Sequence, residues 1–235
     1  MKLLIKRSVP DEVITYEIDA EGLTLLAYLN LIKSKQDASL TYSHSCRSGV
    51  CGSCAVRVNG KEKLMCTYKP ASGDLIEPLG NTEVLRDLVV NYNHLETCNT
   101  KAQGWIETIN SSNVSEEEME KIALQSDCIL CSSCHSACPV FAVNPNFIGP
   151  FALTRAWRYA NDPRNQDATH ILDAVQKDGI WDCTLCGECV PVCPQNIAPK
   201  QDITMLRMKS AMAGYQDPNA ASMFGGGLDF GGPVF

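Results

Sequence analysis

Apolar positions follow two different periods along this chain. Up to about residue 108, short apolar runs predict a mixed sheet with helices. The predicted strands are 3–6, 13–18, 55–58, 64–66 and 75–77, and the predicted helices are 23–33 and 84–94. Asn59-Gly60 is a strong hairpin signal, and the return strand after it carries Cys66 back toward the preceding loop.

From residue 115 onward the spacing of apolar residues is helical throughout. Ser115 and Glu118 form a capping box that opens the first of these helices. Prolines in first turns and glycines at helix ends delimit the others. The predicted helices are 116–125, 150–161, 171–177 and 199–213.

A polar segment at residues 110–115 separates the two patterns and predicts a domain boundary. We expect a first domain at 1–109, a second at 110–214 and a glycine-rich tail at 215–235. Glycine at this density does not sustain a helix. The tail is either a flexible segment, or it docks the chain onto a partner through Phe224, Phe230 and Phe235.

The composition and charge of the chain mainly exclude certain classes of protein. The net charge of −7 argues against a nucleic-acid-binding protein, which needs a basic face. No window approaches the roughly 18 apolar residues of a membrane span, and the run Leu3-Leu4-Ile5 is too short for a secretion signal. The sequence therefore predicts a soluble, cytoplasmic chain, and its 13 cysteines are too many for idle thiols and are not read as disulfides.

Twelve of the cysteines fall into three ordered groups. The first has the x4, x2 spacing of a plant-type [2Fe–2S] ferredoxin, with a fourth cysteine further along. The other two have the x2, x2, x3 spacing followed by proline that holds paired [4Fe–4S] clusters in bacterial ferredoxins. The groups are Cys46, Cys51, Cys54 and Cys66; Cys128, Cys131, Cys134 and Cys138; and Cys183, Cys186, Cys189 and Cys193.

In the paired motif the fourth cysteine binds the other cluster. One [4Fe–4S] cluster is therefore predicted to take Cys128, Cys131, Cys134 and Cys193. The third cluster, expected to be [4Fe–4S] with [3Fe–4S] as the alternative, takes Cys138, Cys183, Cys186 and Cys189. This exchange would tie two distant segments into one rigid unit.

The cluster loops also indicate how the protein would adjust the reduction potential of a cluster. Gly49 and Gly52 leave backbone amides free to approach the inorganic sulfides, and such N–H···S contacts raise the reduction potential. Arg47 either acts in the same direction or is a solvated charge. Zinc is the alternative metal for Cys-x2-Cys pairs, but it does not explain a doubled motif beside a plant-type loop.

The remaining candidate residues carry no catalytic chemistry. Cys98 has no partner at ligand spacing and is expected to be a small, half-buried residue. His135 lies in a cluster loop, where it either bonds to sulfide or lies at the surface. None of the histidines has metal-ligand spacing; they are His44, His94, His135 and His170. Without a dinucleotide fingerprint or phosphate loop, flavin and substrate chemistry belong on another subunit.

The order of these cysteine groups resembles that of the iron–sulfur subunit of succinate dehydrogenase and fumarate reductase. The resemblance covers about residues 1–212. It rests on the strings SCRSGVCGSC at 45–54, CILC at 128–131, NP at 144–145 before FIGP at 147–150, and CVPVCP at 189–194. It implies an α+β chain, with a β-grasp plant-type [2Fe–2S] domain followed by an all-helical two-cluster domain.

The resemblance also implies a function and partners. Single electrons would pass between an FAD-containing flavoprotein subunit, which interconverts succinate and fumarate, and a subunit at the far end. The [2Fe–2S] cluster would face the flavin, the middle cluster would relay, and the third would face the quinone side. Through its partners the chain would lie at the cytoplasmic face of the inner membrane.

Three positions depart from the common family pattern. Cys186 completes a motif that usually lacks its second cysteine and holds a [3Fe–4S] cluster. Ala142 and Val143 stand where quinone-linked members often have tryptophan, and Thr184 stands where they often have histidine. These departures resemble the non-classical branch, whose third subunit is cysteine-rich and heterodisulfide-reductase-like. The alternative function is an iron–sulfur relay for a thiol-linked fumarate reductase or another flavoprotein dehydrogenase.

Overall fold

The computed structural model describes residues 1–109 and 113–218. Its first part is a five-stranded mixed sheet in the order β2-β1-β5-β3-β4, with helix α1 packed against it. β1 pairs antiparallel with β2 and parallel with β5, as a β-grasp sheet requires. The elements are β1 Lys2–Lys6, β2 Val13–Glu17, α1 Leu25–Lys35, β3 Ala55–Val58, β4 Lys61–Leu64 and β5 Asp74–Glu77.

The first core forms where strand alternation meets a helix face. Leu3 and Ile5 alternate along β1 and are fully buried, and Leu29 of α1 is buried in the same core. The predicted hairpin is present between β3 and β4, and Asn59 and Gly60 both adopt the left-handed backbone that its turn requires. β4 ends a few residues after that turn, so the segment that follows returns the chain toward the cysteine loop.

The helix predicted over 84–94 is wrong. This stretch forms two short antiparallel strands, β6 Val84–Arg86 and β7 Val89–Val90. The helix α2, Asn93–Ala102, begins only after them. The turn between the strands centres on Asp87, which has a φ of 49°. Its carboxylate accepts hydrogen bonds from the backbone N–H groups of Ser8 at 3.1 Å and Thr41 at 2.9 Å. These long-range bonds hold a turn where helical spacing alone predicted a continuous helix.

A buried arginine joins three segments of the first part. Arg7 follows β1 and is 3% exposed, and its Nε lies 3.1 Å from Oδ1 of Asp87, which is 1% exposed. The same guanidinium donates to the hydroxyl of Tyr16 at 2.7 Å and contacts the carboxylate of Asp37. It also donates to Ser39 at 2.9 Å. One cation therefore holds together β1, the segment after α1 and the β6–β7 turn.

The second part is helical in the residues described, as predicted, apart from an isolated bridge between Ile109 and Asn165. Its helices are α3 Glu116–Ser126, α4 Ser133–Ser136, α5 Pro150–Ala160, α6 Thr169–Ala174 and α7 Pro199–Met212, with short 3-10 turns at Pro139–Ala142 and Ile180–Asp182. The capping box is confirmed: Ser115 Oγ accepts the N–H of Glu118 at 3.3 Å, and Glu118 Oε2 accepts the N–H of Ser115 at 2.9 Å.

The second core lies among α2, α5, α6 and α7. Cys98 and Ala102 of α2 are buried in it together with residues of α5 such as Phe151 and Leu153. α2 thus precedes the predicted boundary in sequence but packs with the helical part. Residues 110–112 of the predicted linker, and 219–235 with the three tail phenylalanines, lie outside the described residues.

The helices are short or polar compared with a membrane span. Within residues 1–109 and 113–218, no helix has the length and apolar character needed to cross a bilayer.

Candidate iron–sulfur sites

The first cysteine loop precedes β3 at the end of the sheet. Cys46 and Cys51 are exposed, whereas Cys54 and Cys66 are buried, and the sulfur atoms of the buried pair lie 3.4 Å apart. The plant-type spacing therefore brings a buried pair and an exposed pair of cysteines to one site. Cys66 lies in the turn directly after β4 rather than in the predicted strand.

Backbone amides in this loop point at the sulfur atoms. The N–H of Gly49 donates to Cys66 Sγ at 3.2 Å, and the N–H of Ser48 donates to Cys46 Sγ at 3.4 Å. The Ser48 hydrogen bond is the main reason that the pKa of Cys46 falls to about 6, so this exposed sulfur is readily a thiolate. Left-handed backbone at Arg47, Gly49 and Gly52 gives the loop this shape. Arg47 itself is exposed, which agrees with its interpretation as a solvated charge.

The second site gathers cysteines from two distant segments. A mainly apolar cavity is lined by three cysteines of the second motif, by Phe151 and Ile197, and by the last cysteine of the third motif: Cys128, Cys131, Cys134 and Cys193. Burial raises the pKa of Cys134 well above its ordinary value, with the neighbouring thiols acting in the same direction. An uncharged protein interior does not stabilise a thiolate here, so an iron centre is what would keep these sulfurs deprotonated.

The third site shows the complementary exchange. Burial raises the pKa of Cys138 to about 11, and the nearby thiols of Cys183 and Cys186 add to that rise. Burial likewise raises the pKa of Cys189 to about 12, again with Cys138, Cys183 and Cys186 close enough to contribute. Cys138 and Cys189 are buried, Cys183 is half-buried, and Cys186 is exposed. The set therefore opens toward solvent at one corner.

The two repeated motifs share a left-handed backbone at two matching positions, which the sequence analysis did not predict. Leu130 and Ser132 have positive φ values of 52° and 63°, and the matching Leu185 and Gly187 have 54° and 90°. Leu is an unusual residue for this conformation. The N–H of Leu185 donates to Cys183 Sγ at 3.4 Å, so the twist turns a backbone donor toward sulfur. The sequence signals were the doubled cysteine spacing and the shared Cys-x-Leu-Cys string.

Gly52 places the first site directly against the second. A Cβ atom at this position would lie 2.7 Å from Cβ and 2.9 Å from Cα of Cys131. Gln195, two residues after Cys193, also donates from Nε2 to the carbonyl of Gly49 at 3.4 Å. The first cysteine loop is thus in van der Waals contact with the ligand loop of the second site.

A polar clasp, formed by Glu62, Gly80, Asn81, His135 and Ser136, fixes the two parts together. Asn81 Nδ2 lies 2.9, 3.0 and 2.9 Å from the carbonyl oxygens of His135, Ser136 and Cys138. The N–H of Gly80 donates to Ser136 Oγ at 2.7 Å, and that hydroxyl donates to Glu62 at 2.6 Å. The segment between the second and third sites is therefore held by the sheet domain.

His135 belongs to this interface, so its surface alternative is wrong. The ring is 3% exposed, its Nε2 donates to the carbonyl of Asn81 at 3.0 Å, and its centroid lies 4.2 Å from that of His94. Burial lowers the pKa of His135 to about 4. Cys98 is 6% exposed on α2 and is a small buried residue, close to what was expected.

The donor sets fit clusters better than single ions. Among the residues described, no group of three or more His, Cys, Asp or Glu side chains is arranged to hold one metal ion. In an iron–sulfur cluster, inorganic sulfide completes each iron, so four thiols can lie further apart than around zinc. Three cysteine-only sets, with N–H donors directed at sulfurs of the first and third, suit such clusters.

Two family models match the chain. The 2Fe-2S iron-sulfur cluster binding domain matches residues 2–97, and the 4Fe-4S dicluster domain matches residues 125–197. Both kinds of cluster are therefore supported by domain type. Together with the fold, these matches define an iron–sulfur electron-transfer protein.

Comparison with curated relatives identifies a more specific group within this class of electron-transfer proteins. The chain is 39% identical to the 8-methylmenaquinol:fumarate reductase iron-sulfur subunit of Wolinella succinogenes, over 83% of this chain and 66% of that protein. It is 35% identical to the fumarate reductase iron-sulfur subunit of Haemophilus influenzae, over 84% and 86%. It is 32% identical to a subunit of the fumarate reductase (CoM/CoB) of Methanothermobacter marburgensis, over 85% and 41%.

A solved structure shares the fold. A chain of the Mycobacterium smegmatis Sdh1 complex in the apo form has a TM-score of 0.80 and 22% identity, covering 92% of this chain and 97% of that one. The chain belongs to the family of the iron–sulfur subunits of fumarate reductases and succinate dehydrogenases.

Proposed function

We propose that this chain carries single electrons between the flavoprotein subunit of a succinate dehydrogenase or fumarate reductase and a second redox partner. The observation that carries the proposal is the contact of Gly52 with Cys131, which puts the first cysteine set beside the second. Cys138 and Cys193 then link the second set to the third. The three sets form one continuous series through the protein, as an internal electron relay needs.

Each set is proposed to hold one cluster. Domain 1–109 holds a [2Fe–2S] cluster on Cys46, Cys51, Cys54 and Cys66. Domain 110–214, followed by the 215–235 tail, holds a [4Fe–4S] cluster on Cys128, Cys131, Cys134 and Cys193, and a third cluster, also [4Fe–4S], on Cys138, Cys183, Cys186 and Cys189. When bound, these clusters supply one-electron redox chemistry.

The protein supplies the surroundings of each cluster. N–H groups of Ser48, Gly49 and Leu185 donate to ligand sulfurs and would stabilise the added electron. The apolar cavity around Cys134 would keep water away from the middle cluster. The exposed Cys186 would put one corner of the third cluster at the surface, where electrons can leave or enter.

The proposed partners lie at the two ends of the series. An FAD-containing flavoprotein, where succinate and fumarate interconvert, would dock beside the exposed Cys46 and Cys51. The other partner would dock beside Cys186 and is either membrane-associated or a cysteine-rich, heterodisulfide-reductase-like subunit. Through that partner the chain would lie at the cytoplasmic face of the inner membrane.

The first test is EPR spectroscopy of the native complex, purified without oxygen. We expect the oxidised sample to be silent, and dithionite to give one [2Fe–2S] and two [4Fe–4S] signals. Succinate should reduce clusters that fumarate then reoxidises. A complex whose clusters never exchange electrons with either compound would overturn the proposal. A stoichiometric [3Fe–4S] signal in undamaged protein would instead overturn only the third assignment.

The variant Cys186→Ser should convert the third cluster from [4Fe–4S] to [3Fe–4S]. Because this thiol is the exposed corner of its set, we expect the cluster to lose one iron and to show a [3Fe–4S] signal when oxidised. Losing a thiolate also removes negative charge, so the potential of this cluster should rise. Cys98→Ser is the matched control, because Cys98 is a buried thiol outside all three sets. Three unchanged signals in Cys186→Ser would mean that Cys186 is not a ligand.

A second candidate function is the relay of a thiol-linked fumarate reductase. The complete third motif favours it, because Cys186, Ala142, Val143 and Thr184 depart from the quinone-linked pattern. Relatives are named for both kinds of redox partner, 8-methylmenaquinol and CoM/CoB. Assaying fumarate reduction by the native complex with a quinol and with paired thiols as alternative donors separates the two candidates.

A further inference from the structure

A buried carboxyl group lies next to the second site. Asp202 is near the start of α7 and is 4% exposed. Its Oδ1 accepts a hydrogen bond from Gln125 Nε2, and its Oδ2 accepts one from Thr154 Oγ1, both at 2.9 Å. Both donors are neutral, so they solvate the carboxylate without cancelling its charge.

Both partners of Asp202 also adjoin the second site. The carbonyl of Gln125 accepts the N–H of Cys128 at 3.4 Å. Thr154 lines the same cavity as Cys128, Cys131, Cys134 and Cys193. The carboxyl is therefore one hydrogen-bonded residue away from the proposed position of the middle cluster, in a poorly solvated region where charges interact strongly.

The charged side chains of the surrounding elements have other partners, lie near other groups or are exposed. Burial raises the pKa of Cys128, and the nearby Arg155 opposes that rise. On α5, Arg155 and Arg158 lie over the ring of Tyr159, and Arg158 also donates to Ser126. On α7, Arg207 donates to the carbonyls of Ile180 and Cys183, Lys209 donates to Asn161, and Lys200 lies beside Gly187. The charged residues of α3 are exposed: Glu116, Glu117, Glu118, Glu120 and Lys121.

We propose that Asp202 takes up a proton when the cluster on Cys128, Cys131, Cys134 and Cys193 gains an electron, and releases it when the electron leaves. The inference rests on the proposed cluster assignment. One electron arrives from the neighbouring centre, and one proton leaves a solvent hydronium ion and bonds to a carboxylate oxygen. One O–H bond of hydronium breaks, one carboxyl O–H bond forms, and the summed charge of the cluster and the carboxyl is unchanged.

The side chains around Asp202 can accommodate both protonation states. Burial raises the pKa of Asp202 to about 6, although its two hydrogen bonds act in the opposite direction. The Thr154 hydroxyl donates to the carboxylate and can rotate to accept from the acid. Gln125 Oε1 is buried without a hydrogen-bond partner, so a flipped amide would offer a second acceptor. An added electron nearby would raise this pKa further, which is the direction that proton uptake requires.

The test is a redox titration of the middle cluster, followed by EPR in the native complex from about pH 5 to about pH 8. We expect its potential to fall as the pH rises, because the ionised carboxylate opposes the added electron. The ratio of reduced to oxidised cluster should change about tenfold, which is about 59 mV for one electron. Asp202→Asn should give a potential that is higher at alkaline pH and flat across the range.

Two further variants make the test independent of folding. Thr154→Val removes one hydrogen bond to the ionised form, so it should move the break in the potential curve to higher pH. Glu120→Gln on the exposed face of α3 makes the same change in charge and should leave the curve as in the native protein. The middle cluster is identified as the [4Fe–4S] signal that Cys186→Ser leaves intact.

The outcomes separate this inference from the proposed function. A cluster signal with a pH-independent potential in the native protein would overturn the role of Asp202 and leave the relay intact. A pH dependence that persists in Asp202→Asn would do the same. A native complex with no [4Fe–4S] signal to titrate would instead contradict the cluster assignment on which the inference rests.

Discussion

A Gly52→Ala variant is expected to separate the first cluster from the second. The new Cβ would lie 2.7 Å from Cβ and 2.9 Å from Cα of Cys131, and neither atom belongs to a flexible side-chain end. Overpacking of this kind costs about 1–3 kcal/mol. The left-handed backbone of residue 52, with a φ of 74°, adds about 1–2 kcal/mol for any residue other than glycine. The loops must move apart, so electron transfer between their clusters should slow.

Freeze-quench EPR of the native complex measures this directly, since it shows which cluster holds the electron at each time. In Gly52→Ala the [2Fe–2S] signal should rise at its normal rate and the first [4Fe–4S] signal should lag. Gly22→Ala is the matched control, because its φ is 71° and no atom beyond its own chain neighbours lies within 4 Å of its new Cβ. Equal transfer rates in the two variants would show that contact with Cys131 is unimportant.

An Arg7→Met variant is expected to lower the free energy of unfolding of the holo chain by about 3 kcal/mol. The reason is that Asp87, 1% exposed, would keep its charge without the cation beside it. Asp37 and Tyr16 would lose the same guanidinium. Unfolding in urea without oxygen, followed by loss of cluster absorbance, measures the change.

Two further variants test whether the unpaired buried charge causes this loss of stability. The double variant Arg7→Met with Asp87→Asn should recover part of the stability, because it removes the unpaired buried charge. Lys2→Met breaks the exposed pair between Lys2 and Glu17 and should have no measurable effect. If Lys2→Met proved as destabilising as Arg7→Met, burial of the Arg7 pairs would not be the cause.

The turns, caps and helix starts that the sequence predicted correctly depend on residues close together in the chain. The turn at Asn59-Gly60, the cap at Ser115 and the prolines that open α5 and α7 each have a reason within a few residues, and all are present. The cysteine groups were also predicted from short spacings, because cluster ligands obey strict spacing, and their role as ligands stays a prediction.

The predictions that were wrong, and the residue that was missed, depend on contacts with residues distant in the sequence. The 84–94 helix was wrong because Asp87 binds backbone groups of Ser8 and Thr41, which no local pattern reveals. The burial of His135 depends on Asn81 and His94 from the other part of the chain. Asp202 resembles an ordinary polar residue in a helix until Gln125 and Thr154 are placed around it.

The proposed exchange of Cys138 and Cys193 between the two helical sites would also set an order for biosynthesis. During translation the residues of the first cluster leave the ribosome together, so that cluster could be loaded onto a nascent chain. The second set would lack its last proposed ligand until Cys193 has emerged, although its other three cysteines are made much earlier. The third set is complete only a few residues sooner, and Cys138 must first be brought to Cys183 by folding of the helical part. Maturation of this protein would therefore proceed from the sheet domain toward the helices, with the apo helical part exposed to iron and oxygen for longest.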